Sequence, residues 1–255
     1  MVGFPRLQGF WFALQFLTRL PTPWPHPATT EELGKALPYF PAVGLLLGLL
    51  LVGLDAALRP FLAPPVVDAL LVATLLGLSG ALHLDGLVDT CDAVCAPATP
   101  QARLALLQDS RAHDPGALAA CLLLLAKFAA LRALPAGARP ATLLVAPLLA
   151  RWAIVAAYWA YPYGRRTPGA SLALKAHATT PCAAASTAFT LGVLALALGP
   201  GALLVLGGTG LLVHLAAVFL RTRLPGLTGD TYGAIAELVE AGALVFVPLV
   251  LYAHG

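Results

Sequence analysis

From Leu37 to Leu58 the chain reads LPYFPAVGLLLGLLLVGLDAAL, long and apolar enough to cross the hydrocarbon core of a bilayer as one helix. Runs of this kind recur along nearly the whole length, and they exclude an ordinary water-soluble globule. Of 255 residues, 59% are hydrophobic and 11% charged, against about 45–50% and about 25% in soluble domains. So little charge cannot coat a soluble body of this size, and the bilayer is the expected solvent. The expected fold class is all-α: a polytopic integral membrane helix bundle forming one domain over residues 1–255.

The candidate spans are Leu37–Leu58, Val66–Leu82, Gly116–Leu134, Ala141–Tyr161, Ala183–Leu198, Ala202–Leu220 and Ala241–Ala253, about seven transmembrane helices in all. Phe4–Leu17 is shorter, contains Arg6 and Gln8, and runs into the proline-rich Pro21–Pro25. It fits an N-terminal interfacial helix, and it lacks the uncharged core and small-residue cleavage site of a secretory signal. Alternating the loops puts ten Lys and Arg on the side of the N-terminus and only Arg59, Arg132 and Arg139 on the other. Because cytoplasmic loops are enriched in these residues, the N-terminus is expected in the cytoplasm. Lys127 and Arg151 fall inside spans and must face the bundle interior or a wet cavity. A formal charge of +3 is too small and too dispersed for a nucleic-acid binder. The four cysteines, Cys91, Cys95, Cys121 and Cys182, show neither zinc spacing nor a disulfide framework.

The twelve acids are unevenly spread. Asp85, Asp89, Asp92, Asp109 and Asp114 lie between spans two and three; Asp230, Glu237 and Glu240 lie between spans six and seven, and both groups fall on the side assigned to the cytoplasm. In the run His83-Leu84-Asp85-Gly86-Leu87-Val88-Asp89-Thr90-Cys91-Asp92 the aspartates stand at i, i+4 and i+7. On a helix they share an arc of about 60°. Three like charges on one face repel, so a cation is expected between them. Carboxylate oxygens alone favour Mg²⁺, which also takes oxygens from a substrate phosphate. Around Asp230, the residues Gly226, Thr228, Gly229 and Gly233 are small or hydroxylated and would let backbone approach a phosphate, while Glu237 stands on the same helical face. Two acidic patches with nearby arginines suit phosphoryl transfer, which is mostly positioning and charge neutralisation. Each feature has a plainer structural reading. The aspartates can line a solvated helix face, Asp230 can cap a helix, and Arg151 and Lys127 can pair internally. The Arg165-Arg166 pair can be a topology signal alone. On a continuous helix His83 points some 160° away from Asp85, which favours an aspartate over it as a base.

The run Ala81 to Asp92 resembles the HLDGLADT-x-D signature of the cobalamin synthase family, the adenosylcobinamide-GDP ribazoletransferases. Other pieces agree in order: Phe16 to Pro21, Pro38 to Gly44, Asp109-Ser110-Arg111, Ala150-Arg151-Trp152, and Leu227 to Ala234 followed by Glu237 and Glu240. The resemblance implies a Mg²⁺-dependent enzyme of the bacterial inner membrane that joins adenosylcobinamide-GDP to α-ribazole or its 5′-phosphate and releases GMP. It implies metal held by Asp85, Asp89, Asp92 and Asp109, with Asp230 and Glu237 for a second metal or substrate. Asp85, Asp89, Asp92 and His83 would be catalytic, and Arg19, Arg111, Arg151, Thr228 and Gly229 would bind substrate. Two departures stand out. Ala93 follows Asp92 where the family usually has glycine, and Ala112-His113-Asp114-Pro115-Gly116 replaces the usual Ile-Gly and aromatic-Gly continuation. Membrane lipid is an expected partner, as are a second copy of the chain or other corrinoid-pathway enzymes; nucleic acid is not. A CDP-alcohol phosphotransferase is a neighbouring alternative, although its D-x2-D-G-x2-A-R run is absent. A cation transporter is the alternative from another class, and it would place acids at mid-span rather than near span ends.

Overall fold

The computed structural model describes residues 8–23, 28–107, 114–165 and 169–253. Among these the chain is helical, with a lone bridge between Tyr163 and Leu227. The helices are α1 (Gln8–Leu17), α2 (Thr30–Ala36), α3 (Phe40–Leu58), α4 (Pro64–Ser79), α5 (Leu82–Cys95), α6 (Pro100–Leu106), α7 (Asp114–Ala133), α8 (Arg139–Ala160), α9 (Ala170–His177), α10 (Thr180–Leu198), α11 (Ala202–Arg223) and α12 (Gly229–Ala253). All four cysteines are free.

The protein is a multi-pass helical membrane protein. Five helical stretches are long and apolar enough to cross a bilayer, or six if the bent pair α4 and α5 counts as one. The expected seven is not reached on that measure, for two reasons. First, α4 and α5 meet at 88°, turning through Gly80 at φ 60° and Ala81 at φ 58°. A left-handed alanine costs roughly 1–2 kcal/mol, so the corner is held by its surroundings: the Arg19 side chain covers Gly80 and the Arg19 amide donates to the Leu78 carbonyl at 2.7 Å. Second, the stretch Thr180–Arg223 counts once although it folds back at Gly199–Gly201. On α8, Trp152 donates to Thr187 of α10 at 3.0 Å and its ring lies beside Gly210 of α11. Those two contacts are nearly equidistant from the turn, as in a hairpin.

The almost wholly buried helix α8 is the centre of the bundle. Gly44 and Gly48 on α3 face the backbone of Pro147 and Leu144 so closely that a β-carbon at either would clash; small residues at this spacing allow such contact between membrane helices. Helix α1 is too short to cross. It buries Phe12, Leu14 and Leu17 in the core, and Phe16 stacks on Phe40 at 5.9 Å, so it is an integral plug at one end of the bundle. At the same end α9 is fastened under α8, where the Lys175 ammonium donates to the terminal carbonyls of Tyr158 and Tyr161 at 2.5 and 2.8 Å. Burial pulls this amine below its usual pKa.

The opposite end is closed by charge. Arg139 donates from Nη2 to Asp55 at 2.8 Å and to Asp68 at 2.6 Å, and from Nη1 to the Leu131 carbonyl at 2.8 Å. Arg59 and Arg132 flank the same two aspartates. The three arginines that the sequence assigns to one side thus close a single cluster tying α3, α4, α7 and α8. Arg139→Met would leave two buried carboxylates unpaired, an expected loss of about 3–5 kcal/mol. Arg59→Met, at the half-exposed rim, should cost under about 1 kcal/mol. Thermal unfolding of the purified protein in detergent separates the two.

Candidate active site

The other end gathers the acids. Asp85, Asp89 and Asp92 lie on one face of α5, and Asp230, in the first turn of α12, lies across from them; Asp89 feels the like charges of Asp85, Asp230 and Asp92 and the opposite charge of Arg165. Two glycines make this proximity possible. A β-carbon on Gly86 would sit 2.6 Å from the Asp230 carbonyl oxygen, and one on Gly233 would sit 3.2 Å from the His83 backbone. The helices therefore touch backbone to backbone where the carboxylates face each other.

The four aspartates are not equivalent. Asp92 accepts the Gly116 amide at 2.7 Å, fixing the first turn of α7, where a carboxylate also suits the helix dipole. Asp230 accepts Arg165 at 3.1 Å, and Arg165 is itself anchored on the Leu107 carbonyl at 2.9 Å. Among the described residues no hydrogen bond or ion pair takes up Asp85 or Asp89. Asp85 is exposed and Asp89 half-buried. These are the carboxylates left for a ligand. No three His, Cys, Asp or Glu side chains among the described residues converge as a metal cage. Mg²⁺ needs none, since it is usually held by one or two carboxylates together with waters and substrate phosphate, and the hard oxygen donors of Asp85 and Asp89 fit it.

Beside this face opens a cleft of about 210 Å³, lined by α1, α3, α5, α8, α9 and α12. Tyr158 and Tyr232 pack at 3.8 Å on its wall, and Tyr163 stacks beyond Tyr232. Ser171 lies beside the phenols of Tyr158 and Tyr163. Burial pushes the Tyr163 phenol up, so it stays neutral at ordinary pH.

The remaining acids expected here lie deeper. The sequence reading put Glu237 and Glu240 in a loop before a span starting at Ala241; α12 instead begins at Gly229 and carries both into the bundle. Lys127 of α7 donates to Glu237 and Glu240, each at 2.5 Å, and Arg151 of α8 donates to Glu240 at 2.7 Å. Two acids offset by two bases are tolerable in an apolar interior, where either set alone is not. Glu237 and Arg151, expected to bind metal and substrate, are thus engaged with protein partners. His83 is buried between this network and the cleft.

The chain matches the cobalamin-5-phosphate synthase family over residues 9–248. The chain belongs to the cobalamin-5-phosphate synthase family. It is 41% identical over 248 residues to an adenosylcobinamide-GDP ribazoletransferase of Pseudomonas paraeruginosa, covering 95% of this chain and 98% of that one. It is 42% identical over 246 residues to one from Pseudomonas fluorescens, covering 94% and 98%. It is 35% identical over 237 residues to one from Desulforamulus reducens, covering 93% and 94%. No solved structure matches.

In this family member, the other residues singled out in the sequence fall as follows. Asp109 and Arg111 lie outside the described residues, as does His113. Arg19 is exposed and packs over the α4–α5 corner. Thr228 is fully buried and caps α12: its amide is bonded to the Thr231 hydroxyl at 2.7 Å and its own hydroxyl receives the Thr231 amide. The glycines read as room for a phosphate receive protein instead. Gly226 packs on the Gly164 backbone and Gly229 faces Ser171. Sequence reasoning gave Arg165 no role in the site, leaving a topology signal alone as one reading of it, and it missed the tyrosine wall. Neither has a local motif, since their partners are far away in sequence.

Gly86→Ala should push α5 off α12, separating Asp85 and Asp89 from Asp230 and costing about 1–3 kcal/mol in overpacking. A variant that stays folded yet loses turnover is the expected outcome, measured by activity per molecule against thermal unfolding.

Proposed function

We propose that this chain joins α-ribazole, or its 5′-phosphate, to adenosylcobinamide-GDP and releases GMP, a reading supported by relatives that are named adenosylcobinamide-GDP ribazoletransferases. The observation that carries the reading is the meeting of the Asp85–Asp92 face with Asp230 at one end of a bundle that matches the family almost end to end. In the reaction a ribose hydroxyl oxygen of ribazole bonds to the phosphorus attached to the cobinamide arm. The bond from that phosphorus to the GMP oxygen breaks, and the hydroxyl loses its proton.

Asp85 and Asp89 would hold Mg²⁺, with Asp92 and Asp109 as the other expected ligands. The ion's chemistry is to offset the charge of the diphosphate and of the departing GMP. The chain's own residues do the positioning. Arg165 fixes the Asp230 carboxylate over the cleft, Asp92 fixes α7, and Gly86 sets the gap between the two carboxylate-bearing helices. An uncommitted aspartate, rather than the buried His83, is placed to accept the hydroxyl proton. Arg111 and Arg19 are the guanidinium groups proposed to meet phosphate. We place the acidic end on the cytoplasmic side of the bacterial inner membrane, since the excess of Lys and Arg lies there. Against ion transport stands the pairing of the deep acids Glu237 and Glu240 with Lys127 and Arg151.

Protein purified in detergent should release GMP from adenosylcobinamide-GDP and α-ribazole only when Mg²⁺ is present. Asp89→Asn should lower that rate on the order of 10²-fold or more. Absence of turnover by well-folded protein in supplied lipid would refute the reading.

A further inference from the structure

The two substrates in the proposed reaction differ greatly in size and character. One is a corrinoid bearing a guanosine diphosphate; the other is a flat two-ring heterocycle on a ribose. The cleft at the acidic end, about 210 Å³, is smaller than the roughly 300–1,000 Å³ of pockets that enclose drug-sized ligands. It is too small for a corrinoid and matches a fused bicyclic base with part of its sugar.

The lining combines the two characters of that smaller substrate. One wall is apolar and aromatic: Phe16 stacked on Phe40, Ile154, and the Tyr158–Tyr232 pair. The same lining carries the carboxylates Asp85 and Asp230. From the start of α9, the half-buried Ala170, which adds little bulk, and Ser171 complete the lining. Flat aromatic surfaces favour offset-stacked or edge-on contact with a planar ring. A sugar attached to that ring would be left at the carboxylates.

Resting on the function proposed above, we propose that this cleft is the ribazole subsite. The benzimidazole enters against Phe16, the part-exposed member of the Phe16–Phe40 stack, and the ribose is turned toward Asp85 and Asp230, where its hydroxyl meets the phosphorus. The corrinoid diphosphate approaches over the outer face of α5, beside Asp89, and never enters the cleft. The cleft walls, rather than the acidic face, then decide which lower-ligand base is accepted.

The test fills the cleft from the start of α9. Ala170→Phe should raise the KM for α-ribazole at least about tenfold, while the KM for adenosylcobinamide-GDP stays within about twofold. The near-isosteric Ser171→Ala is the second variant, and it should also weaken α-ribazole selectively. Binding of α-ribazole alone, followed by its benzimidazole fluorescence, should be present in the wild type and reduced in both variants, with unfolding temperatures checked in parallel. Wild-type affinity for α-ribazole in both folded variants, or a rise confined to the KM for adenosylcobinamide-GDP, would overturn the assignment. Wild-type protein that binds α-ribazole yet releases no GMP would instead overturn the parent reading and leave the cleft assignment supported.

Discussion

Two buried carboxylates and two buried cations, held in contact inside an apolar bundle, are the constraint on which the rest of the structure depends. Lys127 sits between Glu237 and Glu240, and Arg151 takes the second oxygen of Glu240. Any one of these charges alone would cost several kcal/mol to bury. Together they tie α7, α8 and α12 at one level. Because Glu237 and Glu240 are neutralised there, α12 can run unbroken from Gly229, and its first turn presents Asp230 to α5. The Arg139 cluster repeats this device at the far end, joining α3, α4, α7 and α8.

At the acidic end, beyond the Glu237–Glu240 level, the four aspartates divide into those with protein partners and those without one among the described residues. Asp92 is spent on the start of α7 and Asp230 is braced by Arg165. Asp85 and Asp89 have no such partner among the described residues, and they are the carboxylates proposed for the chemistry. The division follows from helix geometry: residues at i, i+4 and i+7 share a face, but a neighbouring helix end reaches only the outermost of them. The strained Gly80–Ala81 corner serves the same arrangement, since it lets α5 leave the line of α4 and lie along α7 and α12.

The apolar runs made the helical bundle legible in the sequence, and the charge asymmetry correctly grouped Arg59, Arg132 and Arg139. The i, i+4, i+7 spacing located the acidic face of α5. Hidden from the sequence was the start of the last helix. Hydropathy alone cannot place Glu237 and Glu240 inside an apolar bundle, because their partners Lys127 and Arg151 are 110 and 89 residues away. The tyrosine wall was hidden for the same reason, since Tyr158, Tyr163 and Tyr232 meet only in the fold. The glycines misled in a more instructive way. A glycine near an aspartate suits a phosphate and suits close packing equally well, and here Gly226, Gly229 and Gly233 all serve packing.

In the proposed function Asp85 and Asp89 hold the cation, and Asp230 across from them completes the acidic face that attracts it. Mn²⁺ binding to the purified protein, followed by electron paramagnetic resonance, tests this claim directly. Asp89→Asn and Asp230→Asn are each expected to weaken binding at least about tenfold, whereas Asp55→Asn at the far end leaves it unchanged. Undiminished Mn²⁺ binding in both acidic-end variants, with the fold intact, would contradict the claim.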